Sequence, residues 1–392
     1  MTRPHRAAAL IMGNGSYVLV SGDFVKTGGM DRANHALAWH LSGRGHDVRL
    51  VAHRVDPDLA NRPGVTFRRV PKPLGSYLLG EPLLRRYGRR EARRYAPGGA
   101  RVVVNGGNCD WGDVNWVHYV HAAWTPRPGA GAGRVRRAKV RLTHRLALAA
   151  ERSSLRRARV VVANSGQTRG LLVDRLGLPA DRVRTVYYGV DPDEFRPPTP
   201  AERSAARARL GWRDGRPTLA FVGAPGDLRK GLDTLLAAWR TLRGGPGWDA
   251  RLAVVGTGAA AGRLRDEARG LGGSVEFLGF RPDVPAVLRA CDALVSPARY
   301  EAYGLNVHEA LCCGLPALAS RSSGVAERFP AGLRGLLLPD PDDAADLAAR
   351  LLAWRAGRAG YARAALTLSE TLRAETWDGM AGRFLDAVGP AS

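Results

Sequence analysis

The chain has 392 residues, 45% of them hydrophobic, and its 59 Lys+Arg against 36 Asp+Glu give a formal net charge of +23. That length favours two domains of ordinary size, and that apolar content excludes a disordered chain. Four scattered cysteines without a C-x-x-C pair exclude a disulfide framework and a cysteine–histidine metal site, and no apolar run is long enough to span a membrane.

Residues 1–16, MTRPHRAAALIMGNGS, carry too short an apolar stretch for a signal peptide and are expected to form a flexible tail. YVLVSG (17–22) reads as a short buried strand. A loop with Gly28 and Gly29 follows, then ANHALAWHLSGRG (33–45) with helical periodicity and HDVRLVA (46–52) as a second strand. This is a βαβ unit, whose parallel strands need a crossover helix. RVVVNGG (101–107) and RVVVANS (159–165) read as further strands, a helix is expected from about 166 to 176, and RVRTVYYGV (182–190) closes an N-terminal domain over 17–192. The breaker-rich DPDEFRPPTP (191–200) opens a linker region, 193–216, that includes a short polar helix.

A second series begins with TLAFVG (218–223), the helix GLDTLLAAWRTL (231–242) and RLAVVG (251–256). SVEFLGF (274–280), ALVSP (293–297) and PALAS (316–320) complete a C-terminal domain over 217–372. Residues 373–392 are expected to form a last helix that crosses back to the N-terminal domain. Alternating β and α throughout predicts two doubly wound, Rossmann-like parallel sheets, with ligands in the cleft between them at the carboxyl ends of the strands.

The strand ALVSP leads into RYEAYGLNVHEALCC, which puts Glu301 in the loop at a strand's carboxyl end and Glu309 in the first turns of a helix. Gly304 between them permits an unusual turn or close ligand approach. A carboxylate placed so can accept two hydrogen bonds from a ribose diol; Glu309 also reads as an acid near a helix N-terminus. Arg229 and Lys230 stand at a strand-to-helix turn, where a helix beginning near Gly231 adds its positive end to an anion site. Only four lysines occur in the chain, so one at this turn is informative. In NWVHYVHAAWTP (115–126), His118 and His121 follow a strand with no third ligand for a metal. Asn164 and Ser165 end a strand on the cleft side, where Ser165 can cap a helix.

Two features of the sequence point toward other functions. VVGTGAAAG (254–262), with Glu276 twenty residues beyond Gly256, mimics a dinucleotide fingerprint. It follows the second strand of its domain and Glu276 falls inside a strand, so NAD binding is disfavoured. The basic segments 83–95 and 133–159 suit either solvated arginine-rich helices or, for 133–159, an amphipathic face resting on anionic lipid. No aromatic platform or reader motif supports nucleic-acid binding.

The string E-x7-E with Gly304 inside, followed by EALCCGLPALAS, resembles the signature of the family 4 retaining glycosyltransferases of the GT-B fold. FVGAPGDLRKGLDTLL (221–236), VYYGVDPDEFRP (186–197), ANSGQTRGLL (163–172) and KTGGMDRANHALAWHLSGRGHDVRLV (26–51) resemble further segments of that family in the right order. The resemblance covers roughly residues 17 to 345. It implies an enzyme of the hexosyltransferase class that moves a sugar from a nucleotide-diphosphate sugar to a hydroxyl acceptor, with UDP favoured over GDP. No metal or other cofactor is expected.

By the same resemblance, Arg229 and Lys230 would hold the donor diphosphate, Glu309 the ribose, and Glu301 would lie near the sugar ring. Backbone amides of Gly304 and Leu305 would meet sugar or phosphate, Gly28 and Gly29 would approach the phosphates and acceptor, and His121, with His118 second, would contact sugar or acceptor hydroxyl. Many relatives carry an arginine where this chain has Ala224; others have adjacent Arg-Lys, as here. Glu301 and Glu309 are not read as the acid/base pair of a glycoside hydrolase. A cytoplasmic enzyme with peripheral contact to an anionic membrane is expected. The competing reading is a catalytically silent nucleotide-sugar-binding protein of the same fold.

Overall fold

The computed structural model describes residues 15–127, 133–245, 247–258 and 261–389. Most of the tail expected over 1–16 lies outside these residues, and Ser16 already opens the first strand.

Two parallel sheets form the frame. The first has seven strands in the spatial order Val65–Arg69, Asp47–Ala52, Ser16–Val20, Arg101–Asn105, Val114–Val117, Val160–Ala163, Val183–Thr185. The second has six, in the order Val275–Gly279, Arg251–Val255, Thr218–Val222, Ala293–Ser296, Ala317–Ser320, Leu337–Leu338. Central strands such as Arg101–Asn105 and Arg251–Val255 are buried at every position, because crossover helices cover both faces. That explains their continuous apolar runs, VVV in the first and LAVV in the second.

In each sheet the strand order reverses beside the first strand, between Ser16–Val20 and Arg101–Asn105, and between Thr218–Val222 and Ala293–Ser296. The loops that leave these strands diverge there and open a crevice. The two crevices face one another.

The segment 193–216 is built into the C-terminal domain, where Phe195, Ala206 and Trp212 are buried in its core. Its helix Pro200–Arg209 is closed by a capping box between Thr199 and Glu202. The helix expected over 166–176 is α-helical only at Gly166–Gly170 and widens to a π turn at Leu171–Arg175. The last helix, Trp377–Val388, packs on the N-terminal domain: Met380 and Phe384 are buried, with Phe384 centred 4.7 Å from Trp116. Val190 N–H donates to Glu375 O at 2.9 Å where the two interdomain crossings meet.

Candidate active site

Between the domains lies a cleft of about 840 Å³, lined from both sheets. Its C-terminal wall is built from two adjacent strand ends. After Thr218–Val222, Asp227 caps the single turn Leu228–Lys230, and the helix Leu232–Arg243 begins at Gly231. Gly231 has φ 72°, and a Cβ there would overlap the Pro297 carbonyl oxygen. Only glycine permits that approach, which presses Arg229 and Lys230 against the loop leaving Ala293–Ser296.

The result is a four-charge cluster. Glu301 Oε2 accepts from Lys230 Nζ at 2.5 Å and from Arg229 Nη1 at 3.2 Å. Arg229 also donates to Asp227 Oδ2 and to the Tyr300 carbonyl, each at 3.1 Å. Burial acts to raise the Glu301 carboxyl, but Lys230 and Arg229 hold it below its ordinary value. With Asp227 included, two cations face two acids. The cations that the sequence assigns to a diphosphate are therefore already engaged by the acid assigned to the sugar.

Gly304, at φ 103°, turns the chain into the helix Leu305–Cys312 and so carries Glu309 into the same cleft. Glu309 meets Arg32 of the opposite domain, Nη1 to Oε1 at 3.6 Å, while Arg32 Nη2 donates to Glu194 at 2.6 Å. Burial pushes the Glu309 carboxyl up to about 8, and Arg32 offsets this only in part. Gly28 precedes the helix Gly29–Gly43, and a Cβ on Gly29 would stand 3.6 Å from Leu305. The glycine loop thus touches the helix that carries Glu309. Arg32 lies in a segment read as a glycine loop and its helix. No spacing rule marked it, because its partners are 162 and 277 residues away, at Glu194 and Glu309.

On the N-terminal wall the two histidines part company. His118 is buried and bonded through Nδ1 to Tyr188 Oη at 2.5 Å; burial lowers it to about 3, so it is neutral. His121 also lines the cleft, and burial, with His144 nearby, lowers it to about 4. Its backbone is held by Glu151, which accepts from His121 N at 2.8 Å and Ala122 N at 3.3 Å. Glu151 is fully buried and pushed up to about 7 by that burial. It sits in the arginine-rich segment 133–159, where charge patterning drew attention away from a lone acid. Tyr119 links this wall to the charge cluster, its ring 4.9 Å from His121 and beneath Arg229 at 5.9 Å.

Asn164 lines the cleft and bonds Tyr188 Oη at 3.2 Å. Ser165 caps Gly166–Gly170 and donates across the domain boundary to Ala302 O at 2.8 Å. The residues proposed from sequence are all brought to this cleft: Glu301, Lys230, Arg229, His121, Glu309, Gly304, Leu305, Gly28 and Gly29 all line it.

The dinucleotide mimic has a different explanation. A Cβ on Gly256 or Gly258 would overlap backbone carbonyls of Gly223 or Pro225, so these glycines serve loop packing. Glu276 accepts from Trp212 Nε1 at 2.8 Å. Among the described residues, His35, Asp56 and Asp58 have potential ligand atoms within 4.8 Å of one another. Lys26 already bonds both acids, through its backbone to Asp56 and its side chain to Asp58. The four cysteines are buried and unpaired.

Residues 27–194 match the family described as Glycosyltransferase Family 4, and residues 216–354 the one described as Glycosyl transferases group 1. The D-inositol 3-phosphate glycosyltransferase of Geodermatophilus obscurus is 32% identical over 367 residues, covering 84% of this chain and 78% of that protein. The 2-deoxystreptamine N-acetyl-D-glucosaminyltransferase of Streptomyces fradiae is 36% identical over 211 residues, covering 52% of this chain and 49% of that protein. Among solved structures, WaaG, a glycosyltransferase involved in lipopolysaccharide biosynthesis, superimposes with a TM-score of 0.76 at 20% identity over 95% of this chain and 99% of its own. Anabaena HepE in complex with UDP-glucose does so with a TM-score of 0.68 at 19% identity, over 95% and 99%. These likenesses identify the fold as GT-B.

Proposed function

This chain belongs to the family 4, group 1 glycosyltransferases, and from that premise we propose that it transfers a sugar from a nucleoside-diphosphate sugar, UDP-linked in preference to GDP-linked, with retention and without a metal. The observation that carries the reading is the Lys230–Arg229–Glu301 cluster sharing one interdomain cleft with Glu309. In this reading Lys230 and Arg229 exchange Glu301 for the donor diphosphate. Arg229 stays tethered by Asp227 and the Tyr300 carbonyl, while the Lys230 ammonium, which among the described residues bonds Glu301 alone, is free to turn. Glu309 accepts from the ribose hydroxyls, and the amides of Gly304 and Leu305 face the sugar and phosphates. Gly28 and Gly29 close over the phosphates from the opposite side.

The bond from the sugar's anomeric carbon to the diphosphate oxygen breaks as the acceptor oxygen bonds the same face. The acceptor proton passes to the leaving diphosphate. Lys230 and Arg229 stabilise the charge that develops there, fixed cations in a water-poor cleft being worth far more than in solution. Neutral His121, held by Glu151, is positioned to hydrogen-bond the sugar or the acceptor hydroxyl. HepE binds UDP-glucose in its solved complex, which supports the choice of base. The two named relatives act on a cyclitol phosphate and an aminocyclitol, so a cyclitol ring is the acceptor class proposed.

Calorimetric titration with UDP, GDP, ADP and NAD in the presence of chelator tests this. Selective binding of UDP supports it; tight NAD binding with no diphosphate preference overturns it, and no binding at all leaves a catalytically silent fold.

Peripheral membrane contact is the second proposal. Among the described residues no helix is long and apolar enough to cross a membrane. The helix Arg134–Arg157 nevertheless exposes Val135, Leu142 and Leu146, at helical spacing along one face and flanked by arginines. Sedimentation with anionic liposomes at moderate salt decides the matter: failure to pellet removes the proposal.

A further inference from the structure

The loop that carries Glu301 belongs to the C-terminal domain by chain order but not by packing. It follows the strand Ala293–Ser296. Tyr300 and Ala302 are nevertheless buried in a cluster with Val117, Val120, Val161 and Ala163 of the N-terminal domain, while Glu301 between them faces the cleft. That alternation is the one an extended chain imposes on successive side chains. The Ala302 carbonyl accepts from Ser165 Oγ at 2.8 Å and from Thr168 Oγ1 at 3.0 Å, both wholly buried.

Tyr300 joins the two walls. Its hydroxyl accepts from Val120 N–H at 2.9 Å, and its carbonyl accepts from Arg229 Nη1 at 3.1 Å. Val120 opens the single turn His121–Ala123, and the leading amides of a turn have no partner within it. Glu151 takes the amides of His121 and Ala122, and Tyr300 takes that of Val120 from across the domain boundary. Val120 and Tyr300 are 0% and 3% exposed, so water cannot replace this bond, and an unpaired amide there would be costly. The Tyr119 ring packs edge-on against Tyr300, with centroids 5.1 Å apart. Tyr300 does not line the cleft itself, so it acts on the reaction through the groups it holds.

We propose that Tyr300 is a positioning residue that sets the register between the acceptor wall and the donor diphosphate site. One end of the residue fixes the backbone that presents His121. The other fixes the guanidinium that meets the diphosphate. A donor that orders Arg229 thereby also orders the His121 turn before an acceptor arrives. Rate falls steeply with small displacements between reacting groups, which is where such a register acts. The inference rests on the glycosyl-transfer reading of the cleft and adds the residue that couples its two half-sites.

The test is Tyr300→Phe in the full chain, which keeps the ring and its packing and removes the hydroxyl. UDP affinity is measured by calorimetry, stability by melts, and hydrogen exchange of residues 118–123 by mass spectrometry with and without UDP. In the wild type, UDP should slow that exchange about fivefold, the worth of one hydrogen bond. In Tyr300→Phe, UDP should bind with unchanged affinity and leave the exchange unaltered. With UDP-glucose and 2-deoxystreptamine, myo-inositol or inositol 3-phosphate as acceptor probes, kcat should fall about tenfold for any probe that is used, at an unchanged KM for UDP-glucose. A hydroxyl that serves packing alone would lower the melting temperature and leave the UDP-dependent protection intact. That result overturns the inference, as does a parallel loss of UDP affinity, or a wild type whose exchange at 118–123 ignores bound UDP. The exchange readout decides whichever probes are used, and its wild-type arm stands even where the variant does not fold. Absence of nucleoside-diphosphate binding in the wild type overturns the reading beneath it as well.

Discussion

Lys230→Ala separates the structural from the catalytic share of the charge cluster. In the wild type, Lys230 Nζ and Glu301 Oε2 are 2.5 Å apart, with side chains 17% and 19% exposed. At an effective dielectric of about 20 their gross attraction is about 7 kcal/mol. The net cost of removing one partner from a buried pair is smaller, about 3–5 kcal/mol. Arg229 remains 3.2 Å from the orphaned carboxylate, which brings the expected loss to about 2–3 kcal/mol. For a domain of this size that lowers the melting temperature by roughly 5–10 °C. The Glu301 carboxyl, held below its ordinary value by the two cations, contributes stability that is present at neutral pH and lost as pH falls through its folded value. That acid limb should shrink in the variant. Turnover should fall about 10²–10³-fold, as for loss of one charge-stabilising donor. Calorimetric melts at pH 7 and pH 4, paired with a nucleotide-release assay, measure both effects. Lys230→Ala/Glu301→Gln should melt higher than Lys230→Ala, because no unpaired charge remains. A single variant that melts within a degree of wild type and turns over normally would refute the reasoning.

Gly231→Ala places a Cβ on the Pro297 carbonyl at φ 72° and should cost about 2 kcal/mol or more while displacing Arg229 and Lys230, so stability and turnover fall together in melts and rate assays. Glu309→Ala should weaken UDP binding in calorimetry; unchanged affinity would remove the ribose assignment. Because burial raises Glu309 to about 8, its neutral form favours the folded state at low pH, and stability is lost as pH rises from about 4.5 through 8 at up to about 1.4 kcal/mol per pH unit. Melts of Glu309→Gln should show a shallower decline over that window. Glu151→Gln keeps one acceptor for the two amides of His121 and Ala122, so we expect a lower kcat with a melting temperature within a few degrees of wild type; full retention of kcat would show that the His121 turn holds itself.

The two parallel sheets were legible because a strand covered on both faces reads as a continuous apolar run, and VVV in RVVVN and LAVV in RLAVV are such runs. The motif residues were legible because strand-end loops and glycine turns are short, local features. Glu301 with Gly304, and Arg229 with Lys230, each declare themselves within a few positions. The sequence by itself therefore determined the alternation of elements, the family signature and which strand ends carry the chemistry. Only the tertiary structure decided which charges meet. Glu301 finds Lys230 across 71 residues, Glu309 finds Arg32 across the domain boundary, and Glu151 finds the His121 backbone from an arginine-rich helix. The physical reason is that periodicity and turn chemistry act over one turn or one strand. Electrostatic pairing depends on distances that exist only after both domains have folded and faced each other.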